Sequence, residues 1–166
     1  MIDAWLKILS VIASPVAAGI CAAAVVCIVK LVKARGCNVA TEDQYQFIRY
    51  DQQQSWSIVV SAVVLLVMAA IESFMVQTQW TPGVPIGDKY VRGFDVNPMA
   101  FHFVMGIGRL IIAMVGLFIA AIFGNKASKL KKAKNIESPV KVNIFLKTVL
   151  VVVGIATYLL IQIIFK

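Results

Sequence analysis

Two ionisable residues interrupt long apolar stretches of this chain, and they are the residues best placed to do chemistry. Glu72 lies in the stretch 56–77 and Arg109 in the stretch 99–124, and neither stretch holds another charged residue. A charged group inside hydrocarbon is costly, so such residues pair with one another or serve a pathway for protons or ions. The two stretches should form neighbouring antiparallel helices, so we expect Glu72 and Arg109 to form an intramembrane ion pair. A proton or ion pathway is the alternative.

Few other residues could hold a metal ion or act in catalysis. The chain has one histidine, His102, and three cysteines without CxxC spacing. Metal and haem sites need several such ligands together, so no metal and no cofactor is expected. The motifs HExxH, GxSxG and the P-loop do not occur in the sequence. These absences predict a protein that is not an enzyme.

Long apolar blocks are the elements that must position these residues. Hydrophobic residues make up 60% of the 166 residues, whereas a soluble domain is about 45–50% apolar. Each block approaches or exceeds the roughly 20 apolar residues that a helix needs to cross a bilayer. We expect an all-α integral membrane domain of four transmembrane helices, arranged as two antiparallel hairpins. The expected spans are 15–32, 56–77, 99–124 and 142–165.

The start of the first block admits more than one interpretation. Ser14 and Pro15 could be the N-cap and the first residue of the first span. Residues 2–13 would then form a separate interfacial helix, which the polar stripe through Asp3 and Lys7 favours. One long helix kinked at Pro15 is the alternative, and a three-span chain is a further one. A cleaved signal peptide is not expected, because no basic cluster precedes the apolar residues.

Basic residues are concentrated in two of the three connecting loops. The loops 30–55 and 125–141 together hold ten Lys and Arg residues, whereas the loop 78–98 holds two. Cytoplasmic loops are enriched in Lys and Arg, so we expect both basic loops in the cytoplasm. Both chain ends should then lie on the outer side of a bacterial inner membrane. The cytoplasmic basic patch consists of Lys126, Lys129, Lys131, Lys132, Lys134 and Lys141.

The net charge of +8 predicts a partner of negative charge. Anionic lipid headgroups are expected at the basic loops. Nucleic acid is not expected, because the charges lie between apolar blocks rather than along one folded face.

The first and second loops should differ in structure. Thr41 and Gln44 make a capping box, and no Gly or Pro follows before the second span. The second helix should therefore begin at Glu42 and extend into the cytoplasm by about two to three turns. The outer loop 78–98 has three prolines and three glycines, so no regular element is expected there. Its anchors at the membrane interface should be Trp80, Tyr90 and Phe94.

Small residues recur every four positions in two of the spans. They are Gly116, Ala120 and Gly124 in the third span and Ser14, Ala18 and Ala22 in the first. Such faces let helix backbones approach closely in lipid. They predict helix packing within the chain or against other subunits, and we expect an oligomer or a larger complex.

The order of spans and charges resembles that of a group of small inner-membrane subunits. The matching pieces are IVKLVKARG, the outer-loop segment WTPGVPIG, GIGRLIIAMVG around Arg109, and KASKLKKAK. Together they are similar to subunits of type IVB secretion and conjugal-transfer systems (the IcmC/DotE and TraQ group), and the last hairpin also resembles conjugative pilins. The resemblance implies a non-enzymatic subunit of a multiprotein membrane machine. A small proton- or ion-coupled transporter and a holin-like pore former are the alternatives.

Cysteine labelling tests the predicted orientation. With the native thiols replaced, Gly87→Cys should react with an impermeant maleimide in intact cells, because the outer loop faces the outside. Ser128→Cys should react only after the membrane is permeabilised, because it lies on the basic side. Equal labelling of the two variants in intact cells would show that the topology is wrong.

Overall fold

Helices make up nearly all of the described chain. The computed structural model describes the backbone of residues 2–80, 85–86, 89–90, 98–137 and 142–164, and the side chains of residues 15–71, 105–137 and 142–160. The helices are α1 (Ile2–Arg35), α2 (Glu42–Trp80), α3 (Pro98–Lys134) and α4 (Ile144–Ile164). The predicted all-α fold of four helices is confirmed.

Three of these helices contain segments that are long and apolar enough to cross a membrane. The segments are Pro15–Arg35, Glu42–Ile71 and Met105–Lys134, and Ile144–Leu160 of α4 is a shorter apolar segment. Much of the apolar surface faces outward. Phe118 and Phe145, for example, are 68% and 76% exposed. An exposed apolar surface of this extent is suited to lipid rather than to water.

α1 continues through Pro15 without interruption. The prediction of a separate N-terminal helix, with Ser14 as the N-cap of the next one, is therefore wrong. Proline lacks an N–H group, so the carbonyl group of Val11 loses its usual helical partner at this point. Apolar sequence on both sides keeps the chain helical despite that loss, because the remaining backbone groups are satisfied only within a helix.

α2 begins with the capping box that the sequence predicts. The backbone N–H of Gln44 donates to the Thr41 Oγ1 atom over 3.3 Å, and the Gln44 side chain accepts from the N–H of Ala40 over 3.1 Å. Glu42 and Asp43 in the first turn also complement the positive end of the helix dipole. The predicted extension of this helix before the second span is confirmed.

α3 extends further than predicted. The sequence indicated a loop at 125–141, but the helix continues to Lys134. The lysines, alanines and leucine of 125–134 are good helix formers, and this stretch contains no Gly or Pro. Asn135 ends it with a positive φ of 53°. The N–H of Ile136 then donates to the carbonyl oxygen of Lys131 over 3.2 Å, the pattern of a Schellman C-cap.

The segment between α2 and α3 contains a small regular element. Strands β1 (Pro85–Ile86) and β2 (Lys89–Tyr90) pair in antiparallel fashion, with Ile86 opposite Lys89. The prediction that no regular element forms in 78–98 is therefore wrong, and α2 also reaches Trp80 within that range.

The core is built from small residues of all four helices. Its buried members are Ala17, Ile20, Cys21 and Ala24 of α1, Ala62, Leu65 and Ala69 of α2, Ala113 of α3 and Tyr158 of α4. Alanine at so many contact positions brings the helix backbones together, which is how helices associate in lipid. Packing and short interhelical contacts therefore hold the bundle, because lipid supplies no hydrophobic driving force between helices.

α1 occupies the centre of the arrangement. It packs against α2, α3 and α4, whereas the closest pair is α2 with α3. The predicted pairing of the third and fourth spans differs from the observed packing: α4 lies along α1, and the described parts of α3 and α4 do not pack directly. The short connection between α3 and α4 thus joins helices on different sides of α1.

The contact between α1 and α4 depends on a glycine. A Cβ atom at Gly154 would lie 2.5 Å from the Cα atom and 2.9 Å from the backbone nitrogen of Ala22. Backbone atoms cannot give way as a flexible side chain can. Gly19, by contrast, has nothing within 4 Å of such a Cβ atom.

Gly154→Ala should therefore destabilise the protein, with a loss of roughly 1–3 kcal/mol in the free energy of unfolding, because α4 must move away from α1. Gly19→Ala is the matched control and should be neutral or slightly stabilising, since alanine favours a helix over glycine. Thermal unfolding in one detergent compares the two. Equal stability of both variants would contradict the close contact.

Candidate functional site

α2 and α3 run side by side in one antiparallel register along their described lengths. Four contacts define it: Met68 with Gly108, Ser61 with Gly116, Gln54 with Gly124, and Asp43 with Lys134. The first three are places where a glycine admits the partner's side chain. The register is kept well beyond the apolar part of both helices, so the two form one continuous pair.

The predicted packing face of α3 is used inside the chain. A Cβ atom at Gly116 would overlap the side chain of Ser61, and the Ser57 hydroxyl group donates to the carbonyl oxygen of Gly116 over 2.7 Å. Ala120 is also buried. These contacts leave no room for a second subunit at Gly116. In the first span, Ala22 contacts α4 and Ala18 packs at the core, while the Ser14 side chain lies outside the described residues.

The chemistry of the exposed surface changes at one level of the bundle. On α2 the exposed residues are apolar from Val60 to Ile71, and Trp56 is 51% exposed just before them. On α3 they are apolar as far as Ile122 and mostly basic from Lys126 to Lys134. Tryptophan is enriched where hydrocarbon meets headgroups. We therefore take the level of Trp56 and Gly124 as one edge of the apolar belt.

Beyond that edge the two helices continue as a compact unit, which we call the basic arm: residues 42–55 of α2, and residues 125–137, which are the end of α3 and its C-cap. A second apolar core holds it together, formed by Phe47 and Ile48 of α2, Ala127 of α3 and Ile136 of the C-cap. Ala34 at the end of α1 also packs there. The arm is therefore an ordered element with its own buried contacts.

Two ion pairs accompany this second core. Lys30 of α1 contacts Asp51 of α2 at 3.1 Å, with side chains 30% and 20% exposed. Lys134 contacts Asp43 at 3.4 Å near the tip, where both side chains are more exposed. Exposed ion pairs contribute little to stability, typically about 0–1 kcal/mol. They occupy two of the four acidic groups of the arm, which holds one arginine and five lysines. The arm is therefore basic overall.

The lysines of the predicted basic patch occupy different positions around α3. Lys126 is exposed, with its ammonium group 5.8 Å from the centre of the Tyr50 ring and 5.7 Å from that of Phe123. Such contacts are favourable, because an aromatic face attracts a cation. Lys129, Lys131 and Lys132 are exposed as well. Lys141 lies outside the described residues.

Arg109 is buried deep in the bundle, with 6% of its surface exposed. It is level with Met68 of α2 in the helix register. The fully buried Tyr158 of α4 lies close enough to interact electrostatically with its guanidinium group. Arg109 thus links α3 to a helix that α3 does not otherwise pack against.

The side chain of Glu72 lies outside the described residues, so the predicted ion pair with Arg109 stays a prediction. Continued by one turn beyond Met68, the α2–α3 register brings position 72 level with Met105, about 6 Å along the axis from Arg109. That offset is within the reach of an arginine side chain. The side chains of His102 and of the predicted anchors Trp80, Tyr90 and Phe94 also lie outside the described part.

One polar cluster was not anticipated from the sequence. Cys27 of α1 is buried close to Ser55 of α2, which is also buried. The pair Lys30–Asp51 lies one turn further along both helices. The signal in the sequence was the spacing of these residues: Cys27 and Lys30 are three apart, and Asp51 and Ser55 are four apart. Either spacing places the two residues of a pair on one face of a helix. Among the described side chains, no three His, Cys, Asp or Glu residues gather as a metal site would require.

Comparison of the chain with family models, curated proteins and solved structures gives no match.

The proposed pairing of Glu72 with Arg109 can be measured with a double-mutant cycle. Glu72→Gln alone should lower thermal stability, because removing one partner of a buried pair costs about 3–5 kcal/mol in soluble proteins. Combining it with Arg109→Gln should recover much of that loss. If the losses of the two single variants simply add in the double variant, the residues do not interact.

Proposed function

We propose that this protein is a non-enzymatic structural subunit of a multiprotein membrane machine, which holds a basic helical arm at the cytoplasmic surface of a bacterial inner membrane. The observation that carries the proposal is the arm itself. A helix that only spans a bilayer needs no second core outside it, yet Phe47, Ile48, Ala127 and Ile136 build one. A second core of this kind suits an element that other molecules contact.

The proposal includes a four-span topology, with both chain ends on the outer side. Its support for α4 is the contact with α1, where Gly154 meets Ala22 in the middle of a membrane-spanning segment. Tyr158 is fully buried against the other helices. These contacts support a place for α4 in the bilayer with the other helices. The excess of lysine and arginine at the arm supports a cytoplasmic location for that end.

The close packing of the described interior supports a structural role rather than a channel. In the described part of the bundle, helices meet through alanine, glycine and serine at close range, as at Gly116 and Gly154. Contacts of that kind fix the distance between helices. The surfaces that remain for function are then the lipid-facing sides and the arm.

The side of the arm formed by α2 is the part suited to a protein partner. Glu42, Tyr45, Gln46 and Arg49 are all exposed, and their spacing places them on one face of the helix. Tyrosine and arginine are the residue types that most often dominate binding at protein interfaces. Side chains on a helix tilt toward its N-terminus, which for α2 points away from the bilayer. This face is therefore presented to the cytoplasm.

Secretion and conjugal transfer are the machines that the charge and span layout favours. The segments IVKLVKARG and KASKLKKAK, which carry the resemblance, are the ends of α1 and α3 at the arm. The same resemblance therefore points to the arm as the part that such an assembly would use.

Co-purification with a surface variant tests the proposal. Tyr45→Ala with Arg49→Ala should release partner subunits from the protein extracted in mild detergent, while thermal stability stays within about 0.5 kcal/mol of the original. The matched control is Asn38→Ala with Val39→Ala, which changes exposed residues of the same region that lie outside α2. Wild-type protein that is extracted alone from its native membrane would contradict the role as a subunit.

Arg109 supports a second candidate function, a proton- or ion-coupled transporter. An ionisable residue buried within a bundle, beside Tyr158, is a common component of transport pathways. The purified protein in liposomes should then move protons, and Arg109→Gln should abolish the flux. Flux that needs no partner protein would favour this function over the first.

A further inference from the structure

We propose that the outer face of the arm, Lys129 and Lys132 of α3, binds the headgroups of anionic phospholipids. The inference rests on the proposed topology, in which α3 leaves the bilayer at the level of Gly124. It assigns the two sides of the arm to different partners: α2 to protein and α3 to lipid.

Lys129 continues a stripe of lipid-facing residues. Ile111, Phe118 and Ile122 are exposed by 50%, 68% and 41%, and at 100° per residue Lys129 lies within about 20° of all three around the helix. Acyl chains cover the apolar part of this stripe. The next molecules along the same side of the helix are then the headgroups of the same lipids.

The heights of the two lysines fit the headgroup layer. Lys129 and Lys132 lie five and eight residues beyond Gly124, which is about 7.5 Å and 12 Å along the axis. The polar layer on each side of a bilayer is about 5–7 Å thick. A lysine side chain can bend back toward it by several ångströms.

The direction of α3 turns these side chains toward the bilayer. Because Cα–Cβ bonds tilt toward the N-terminus of a helix, residues of α3 beyond the apolar belt point back to the membrane. On α2, which runs the opposite way, the tilt is away from it. A basic side chain on α3 is therefore directed toward the lipid, whereas one on α2 is directed toward the cytoplasm.

Lys131 provides an internal comparison. It carries the same charge on the same helix, at a height between those of Lys129 and Lys132. Around the helix, however, it lies above Gly124 and Ala120, the face that packs on α2. What lies beneath Lys131 is protein, so it should contribute little to headgroup binding.

A tryptophan probe measures the preference at this position. In a chain with Trp5→Phe, Trp56→Phe and Trp80→Phe, the substitution Ile122→Trp reports the lipid next to Lys129. Quenching by brominated phosphatidylglycerol and by brominated phosphatidylcholine, in vesicles of each and of their mixtures, gives the relative binding constant of the two lipids.

We expect a preference for phosphatidylglycerol that falls about fivefold with Lys129→Gln, the effect of one lysine near an anionic surface. Lys129→Gln with Lys132→Gln should remove nearly all of it. Lys131→Gln should leave the preference within about twofold of its original value.

Four results would overturn the inference, and they have different meanings. Equal quenching by both lipids shows that the stripe is in the bilayer but its lysines do not select anionic headgroups. An equal loss with Lys129→Gln and Lys131→Gln shows that net charge alone attracts the lipid. An absence of quenching by either lipid shows that the stripe does not face lipid, which contradicts the topology itself. If the preference is absent but Lys129→Gln releases co-purifying proteins, the face binds an acidic protein instead.

Discussion

The close approach of α2 and α3 is the constraint on which the other features depend. Glycines at 108, 116 and 124 each admit a side chain of α2, and this holds the two helices in one register from the core to the tip of the arm. That register sets the depth of Arg109, seats the arm's apolar core, and brings Asp43 to Lys134. A shift of α2 by one residue relative to α3 would break each of these contacts, because helix faces repeat every 3.6 residues.

Much of this fold follows from the sequence by simple physical rules. The apolar blocks predicted four helices, and the capping box at Thr41 and Gln44 fixed the start of α2 at Glu42. The predicted end of α3 was wrong, because the length of this helix was judged by the polarity of its residues alone. Lysines 126–134 were assigned to a loop, although residues of good helix propensity continue a helix whenever nothing stops it. At Pro15 the residue type suggested a boundary, but apolar sequence on both sides outweighed it.

The candidate site was harder to derive from the sequence. The lysines were recognised as a patch, but their division into an outward pair, a tip in contact with Asp43 and a member beside two aromatic rings depends on rotation around α3. Rotation is set by packing, which a hydropathy pattern does not specify. The same holds for the small-residue face of Gly116: its composition predicted close packing, and only the register of α2 shows that it is used within the chain.

α2 has a mechanical consequence, since it is one helix of 39 residues. The part that lies in the apolar belt and the part that forms the arm share a single backbone, without a hinge between them. Any change in the tilt of α2 within the bilayer therefore also moves the tip of the arm. The segment from Ser55 to Glu42 is about 20 Å long, so a tilt of about 10° displaces the tip by about 3–4 Å. Bilayer thickness, which influences helix tilt, is in this way coupled to the position of Tyr45 and Arg49 on the arm.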